Sequence, residues 1–189
     1  MADVWVVAGA PGSGKTTISS LLLDNLDPHP ALLDKDTMYG SFVSSLLAAA
    51  GRPNGEREGD WYDEHIKVHE YGGITATTKE IRSYGCPVLL SAPFTSQVHN
   101  ADKWHEWVEQ LGGERVHLVW IQTDRETLRK RLELRNSERD TEKLANFDKF
   151  IDYMQIDSPP PVKHIVVDNR DTATDTLENQ VKRIVQDYS

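Results

Sequence analysis

The chain of 189 residues contains a single cysteine, Cys86, so an internal disulfide is excluded and a reducing compartment fits. Set before Pro87 at the start of an apolar run, Cys86 reads as a packed strand residue rather than a nucleophile. No apolar run approaches the ~20 residues that a membrane-spanning helix needs. The N-terminus enters a short apolar run without the basic, apolar and cleavage-site segments of a targeting signal, and a soluble, cytoplasmic chain is expected. Positive charge is also scarce. Lys and Arg number 21 against 30 Asp and Glu, a net charge of −9, which disfavours nucleic acid and anionic membranes as general partners. D-x-x-G and N-K-x-D, which a GTPase switch needs, do not occur. With no repeat, linker or low-complexity stretch, one domain over 1–189 is expected, and a chain of this length buries roughly 70% of its unfolded surface without a structural metal.

What is present is a regular alternation. "VWVVA" (4–8), "ALLD" (31–34), "PVLLSA" (87–92), "RVHLVWIQ" (115–122) and "HIVVD" (164–168) are short, apolar and β-branched, and read as strands. Between them, helical spacing marks Ile18, Leu21, Leu22 and Leu26, then 36–50, 63–84, the segment of Trp104, Trp107, Val108 and Leu111, and a last helix from Leu177 to Tyr188. "TDRE" (123–126) has the spacing of a capping box, which predicts Thr123 as the cap of the basic helix that follows. Strands alternating with helices predict an α/β fold with a mainly parallel sheet covered on both faces. The polar, turn-rich "GRPNGEREGDWYD" (51–63) interrupts this pattern as an irregular insertion.

"GAPGSGKTT" (9–17) lies between the first strand and the first helix and satisfies G-x-x-x-x-G-K-[ST] at Gly9, Gly14, Lys15 and Thr16. Glycines let successive backbone N–H groups turn into one concavity, and the helix N-terminus adds partial positive charge. Ala10, Pro11, Gly12, Ser13, Gly14, Lys15, Thr16 and Thr17 are therefore expected to cradle the phosphates of a nucleoside triphosphate, taken to be ATP, with the Thr16 hydroxyl on Mg²⁺. No acid ends the third strand, where Ser91 and Ala92 stand instead, which disfavours an ATP-driven machine.

Phosphoryl transfer to an acceptor requires a base and mobile cations over the phosphates. The second strand ends in "LLDKDTM", which places Asp34 and Asp36 at the carboxyl edge of the sheet. Asp36 is the candidate base. Asp34 is the candidate for orienting metal-bound water, with helix capping as the competing role for either carboxylate. "RETLRKRLELRNSERD" (125–140) concentrates Arg125, Arg129, Lys130, Arg131, Arg135 and Arg139 in an otherwise acidic chain. Arg135 and Arg139 flank the turn-like "NS", which suggests a hinged lid over 131–143 with both guanidinium groups on the phosphates.

Together, "GAPGSGKTT", "LLDKDTM" and "RNSERD" resemble the P-loop small-molecule kinases related to polynucleotide kinase, chloramphenicol phosphotransferase, gluconate kinase and shikimate kinase, and the kinase-like proteins labelled AAA domain. The resemblance implies strand order 2-3-1-4-5, Asp36 as general base, Arg135 and Arg139 as lid arginines with Arg131 a weaker match, and Asn169 and Arg170 beside the adenine. It also puts the acceptor near Asp34, Asp36, Tyr39, Arg52, Arg57, Asp60, Trp61, Tyr62 and His65. Where relatives carry an Arg after the base, this chain has Thr37, Met38 and Tyr39, and Ala92 replaces their acid after the third strand. The expected activity is ATP- and Mg²⁺-dependent transfer to a hydroxyl of a small molecule by a monomer or homodimer. The alternatives are a nucleotide-dependent regulatory protein that hydrolyses ATP slowly and, less favoured, a nucleic-acid 5′-end kinase.

Overall fold

The opening apolar run is too short for a helix and rich in valine, and it forms a strand. In the computed structural model, which describes residues 1–188, this strand β1 (Val4–Ala8) is buried along its whole length. It is central in a parallel sheet of order β2-β3-β1-β4-β5, with β2 (Ala31–Asp34), β3 (Val88–Ala92), β4 (Val116–Gln122) and β5 (Ile165–Asp168). Val7 pairs with Ser91 and Ser91 with Asp34, so β1, β3 and β2 finish level at the carboxyl edge.

The intervening helices are α1 (Lys15–Asn25), α2 (Lys35–Ala49), α3 (Asp60–Tyr62), α4 (Val68–Ser83), α5 (Thr95–Val98), α6 (Ala101–Gln110), α7 (Arg125–Arg135), α8 (Thr141–Ala145), α9 (Phe147–Met154) and α10 (Leu177–Tyr188). Because strand side chains alternate between faces, Val4, Val6 and Ala8 pack with Ile74 of α4 and Trp104 and Trp107 of α6. Trp5 and Val7 pack on the opposite face with Ile18 and Leu22 of α1 and Val181 of α10.

Two smaller cores flank the carboxyl edge. Val43 and Leu47 of α2 enclose Tyr62 and Ile66, anchoring the insertion. Leu128 and Leu132 of α7 pack with Phe147, Phe150 and Ile151 of α9 and with Ala10 of the glycine loop. Each large apolar side chain so buried contributes on the order of 1.5–3 kcal/mol. The root of the arginine arm is therefore firmly held, whereas Leu134 near its tip is 76% exposed.

Three local expectations are corrected. The helix expected over 63–84 begins at Asp60, widens into a π turn at Asp63–Lys67 and only then continues as α4. Asp124, not Thr123, caps α7: its Oδ1 accepts from the Thr127 amide at 2.8 Å, and Thr123 is drawn into the interior at the end of β4. Cys86 is exposed, because β3 begins two residues later at Val88.

Candidate active site

The glycine loop leaves β1 at the carboxyl edge and turns into α1. Gly12 and Gly14 have φ of 86° and 96°, which L side chains rarely adopt, and a Cβ on Gly14 would run into Asn169 Nδ2. Asn169 Nδ2 donates to Ser13 O at 2.7 Å and so holds the loop from the end of β5. Gly14 caps α1 without a side-chain hydrogen bond, and the first turn carries no acid. The N-terminal amides are thus left for an anion. Lys15 Nζ donates to Gly9 O at 2.9 Å and Ala10 O at 3.1 Å. Burial lowers its pKa to about 8, against the opposing pull of Asp36 and Asp34.

Beyond the loop opens a cleft of about 490 Å³, lined by Lys15, Thr16, Asp34, Asp36 and the three arm arginines Arg131, Arg135 and Arg139. Asp34 lines it while also capping α2, its Oδ1 accepting from the Thr37 amide at 2.8 Å. Asp36 sits in the first turn of α2. Burial would raise its pKa, but Lys35, Arg139 and Lys15 together hold it below the usual carboxylate range.

The lysine between the two aspartates belongs to a buried chain. Lys35 Nζ lies 3.4 Å from Asp36 Oδ1 and donates to Glu70 Oε1 at 3.0 Å, while the Tyr62 hydroxyl donates to Glu70 Oε2 at 2.8 Å. Glu70 is 3% exposed, so both carboxylate oxygens must be satisfied from within the protein, and they are. The motif spacing gave no hint of Glu70. A subtler signal was present: Ile66, Glu70, Ile74 and Thr78 recur every four residues, a buried stripe that includes one acid.

The arginine arm crosses the cleft. Helix α7 ends at Asn136 in the left-handed region, φ 45°, and the chain turns through Glu138–Asp140. Arg135 makes a two-point contact with Asp140, Nε to Oδ2 and Nη2 to Oδ1 both at 2.7 Å, and Asp140 is 1% exposed. Arg139 Nη1 donates to Asp36 Oδ2 at 2.8 Å, joining two residues 103 positions apart in sequence. Arg131 Nη2 donates to Asp171 at 3.1 Å, and its Nη1, buried, has no partner among the described residues.

The remaining candidates contribute less. Tyr62 lines the cleft, but its ring is packed in the core and only 3% exposed, which leaves little of its face for a ligand. Trp61 stacks on His65 with centroids 5.0 Å apart, under the Arg52 guanidinium at 4.0 Å, and Arg52 pairs with Glu56; this cluster lies outside the cleft lining. Tyr39 packs against Gly73 on α4, also outside the lining. Thr17 is exposed beyond it. Arg170 forms a two-point pair with Asp168 at 2.9 and 2.7 Å and does not line the cleft.

A strand-turn-helix anion cradle thus faces a carboxylate across a cleft, on a sheet of order 2-3-1-4-5. The family model described as AAA domain matches residues 4–156. The chain belongs to the AAA domain family. No curated protein matches it. Solved structures of similar fold include an unliganded sugar kinase from Janibacter sp. HTCC2649 (16% identity, TM-score 0.68, covering 100% of this chain and 96% of that one). A tunicamycin resistance protein from Deinococcus radiodurans is 16% identical, with TM-score 0.60 over 99% and 95% of the two chains. A gluconokinase from Sinorhizobium meliloti 1021 is 14% identical, with TM-score 0.59 over 98% and 94%. At such identities the likeness is one of fold: this AAA domain protein has the fold of the P-loop kinases.

Proposed function

We propose that this protein is a kinase that transfers the γ-phosphoryl group of ATP, with Mg²⁺, to a hydroxyl of a small-molecule acceptor. One observation carries the reading: the uncapped N-terminus of α1 with Lys15 shares a cleft with Asp36, near enough for each to shift the other's proton affinity. An anion site alone would suit any nucleotide binder, but a carboxylate facing it suits transfer to a second molecule.

The amides of Gly12 to Thr16 and Lys15 bind the triphosphate; Lys15 then exchanges loop carbonyls for phosphate oxygens. Oxygen donors suit Mg²⁺, and the exposed Thr16 hydroxyl and the Asp34 carboxylate both line the cleft. Mg²⁺ usually keeps several waters and completes its shell from substrate phosphates, so one hydroxyl and one nearby acid suffice for the protein's share. Bound there, it would neutralise charge on the β- and γ-phosphates. Asp36, ionised at neutral pH, accepts the acceptor hydroxyl's hydrogen bond and takes its proton. With a lowered pKa it is a weak base and acts chiefly by orientation, which the loose transition state of phosphoryl transfer tolerates. Arg131 brings an unsatisfied nitrogen to the phosphates, and Arg139 joins it by exchanging Asp36 for phosphate. Arg135, held by Asp140, stiffens the arm and adds its field. Asn169 and Arg170 at the end of β5 stand on the adenine side.

Calorimetry of ATP·Mg²⁺ with wild type and Lys15→Ala tests the nucleotide half. Loss of binding in a folded variant supports it, and equal affinity overturns it.

A further inference from the structure

The acceptor end of the cleft has a composition of its own, and its polar atoms are largely spoken for. Glu70 is filled by Lys35 and Tyr62. Lys67 Nζ donates to Asp63 Oδ1 at 2.9 Å and to the Tyr153 hydroxyl at 2.7 Å. Arg57 spends Nε and Nη2 pinning the insertion to α2, on Asn54 O, Asn54 Oδ1, Gly40 O and Ser44 Oγ. Lys143 Nζ donates to Arg139 O at 2.7 Å. Glu58 is the exception. Its carboxylate lines the cleft, accepts no side-chain or turn hydrogen bond from the described residues, and has as nearest cation Lys143 at 4.0 Å. The carboxylate is partly exposed, and partial desolvation raises its pKa although Lys143 and Lys67 oppose this.

Most cations at this end are already set against an acid, although Asp63, the partner of Lys67, stands outside the lining. Lys35 faces Glu70, Lys67 faces Asp63, Lys143 faces Glu58 and Arg139 faces Asp36. A phosphate or carboxylate on the acceptor would meet Glu58 and Asp36, with Arg57 its sole cation not already set against an acid. A hydroxyl, by contrast, donates to a free carboxylate and accepts from the N–H groups that Lys67 and Arg57 keep in reserve. Tyr71, Pro93 and Met154 supply an apolar wall for the carbon face of such a molecule.

Resting on the kinase reading above, we propose that the acceptor is a small, hydroxyl-rich molecule without an anionic group, a sugar or cyclitol, and that Glu58 is the specificity-determining residue that accepts a hydrogen bond from one of its hydroxyls. The acceptor thus binds between the insertion and the arm, with a second hydroxyl at Asp36.

ADP release from ATP·Mg²⁺ is measured with a panel of uncharged sugars and cyclitols that includes glucose and myo-inositol, and with gluconate, glucose 6-phosphate and adenosine. Stimulation by uncharged polyols, and none by the anionic pair, is expected. Glu58→Gln should lower kcat/KM for the polyol by roughly 10- to 100-fold, the worth of a hydrogen bond to a charged group, and Glu58→Asp by less. ATP affinity and melting temperature of both variants serve as the check on folding. Stimulation by gluconate or glucose 6-phosphate that Arg57→Gln abolishes leaves the kinase reading standing and overturns this one. So does adenosine as the sole stimulator, a failure of every uncharged polyol, or an unimpaired Glu58→Gln. If, in addition, ATP binding ignores Lys15→Ala, the kinase reading itself falls.

Discussion

Binding of ATP should draw a proton from solution, because the loop lysine is held in a state that the nucleotide reverses. Lys15 lies half-buried against carbonyl oxygens, and desolvation takes its pKa down to about 8. At pH 8 about half of the Lys15 population is therefore neutral, and at pH 7 about a tenth. A triphosphate seated on the amides of α1 sets several negative charges beside Nζ and returns it to the charged form. At pH 8 a phosphate with a second pKa near ~6 is already ionised, so the ligand contributes little to the proton balance. Uptake of about 0.5 proton per ATP bound at pH 8 follows, falling to near zero at pH 7, where Lys15 is mostly charged and the roughly one tenth of phosphate still protonated gives up its proton on binding. Titration calorimetry at each pH in two buffers of different ionisation enthalpy reads this number directly. A binding enthalpy independent of buffer at pH 8, in wild type that binds ATP, would refute the argument. The same depressed pKa has a cost in the free protein. The unfolded chain binds more protons between about pH 8 and 10.5, so this lysine's contribution to stability improves as pH rises through that window and is least favourable below it. Lys15→Met should accordingly raise the melting temperature of the nucleotide-free protein while removing the further rise that ATP brings.

Lys35→Met strands Glu70, 3% exposed, without its cation and should cost about 3–5 kcal/mol in chemical denaturation; adding Glu70→Met should recover much of that loss, and additive losses would show that the pair is not coupled. Asp140→Asn weakens the two-point grip on Arg135, and the expected outcome is faster hydrogen exchange across 136–141 in the free protein with wild-type exchange in α6. In wild type the same segment should gain protection when a non-hydrolysable ATP analogue is added, as should 51–60 on the facing side; strong and unchanged protection in both states would mean a rigid arm rather than a lid.

The sheet, its covering helices and the glycine loop were legible because each rests on local pattern: period-two or uniformly apolar strands, helical spacing, and one motif in its required context. Asp36 and Arg139 were legible as types, though not as partners, since nothing in sequence connects residues that meet only when the arm folds over α2. The insertion misled. Trp61 and Arg52, aromatic and cation together, have the look of a ligand-stacking pair, yet they satisfy one another and His65. Tyr62 turns inward because Val43 and Leu47 offer it a core and Glu70 an acceptor for its hydroxyl. What was missed, Glu70, Glu58, Lys67 and Tyr153, has no motif at all, and Lys35 was passed over between the two aspartates of "LLDKDTM". Polar residues of ordinary type become a site only through tertiary proximity, and burial, the property that singles out Glu70, is visible in sequence only as an acid on an apolar stripe. The cap of α7 was misplaced for a similar reason, since Thr123 and Asp124 are both competent caps and only the depth of the end of β4 chooses between them.

Asp36 is proposed to serve transfer from a nucleotide held by the loop, and acceptor-stimulated ADP release in wild type and Asp36→Asn tests this most directly. With an acceptor that stimulates wild type, Asp36→Asn should bind ATP·Mg²⁺ at least as tightly by calorimetry, since it releases Arg139, and lose roughly 10²–10⁴-fold in stimulated release. Stimulated release that survives intact in Asp36→Asn would contradict the assignment of this carboxylate, and with it the central claim for the cleft.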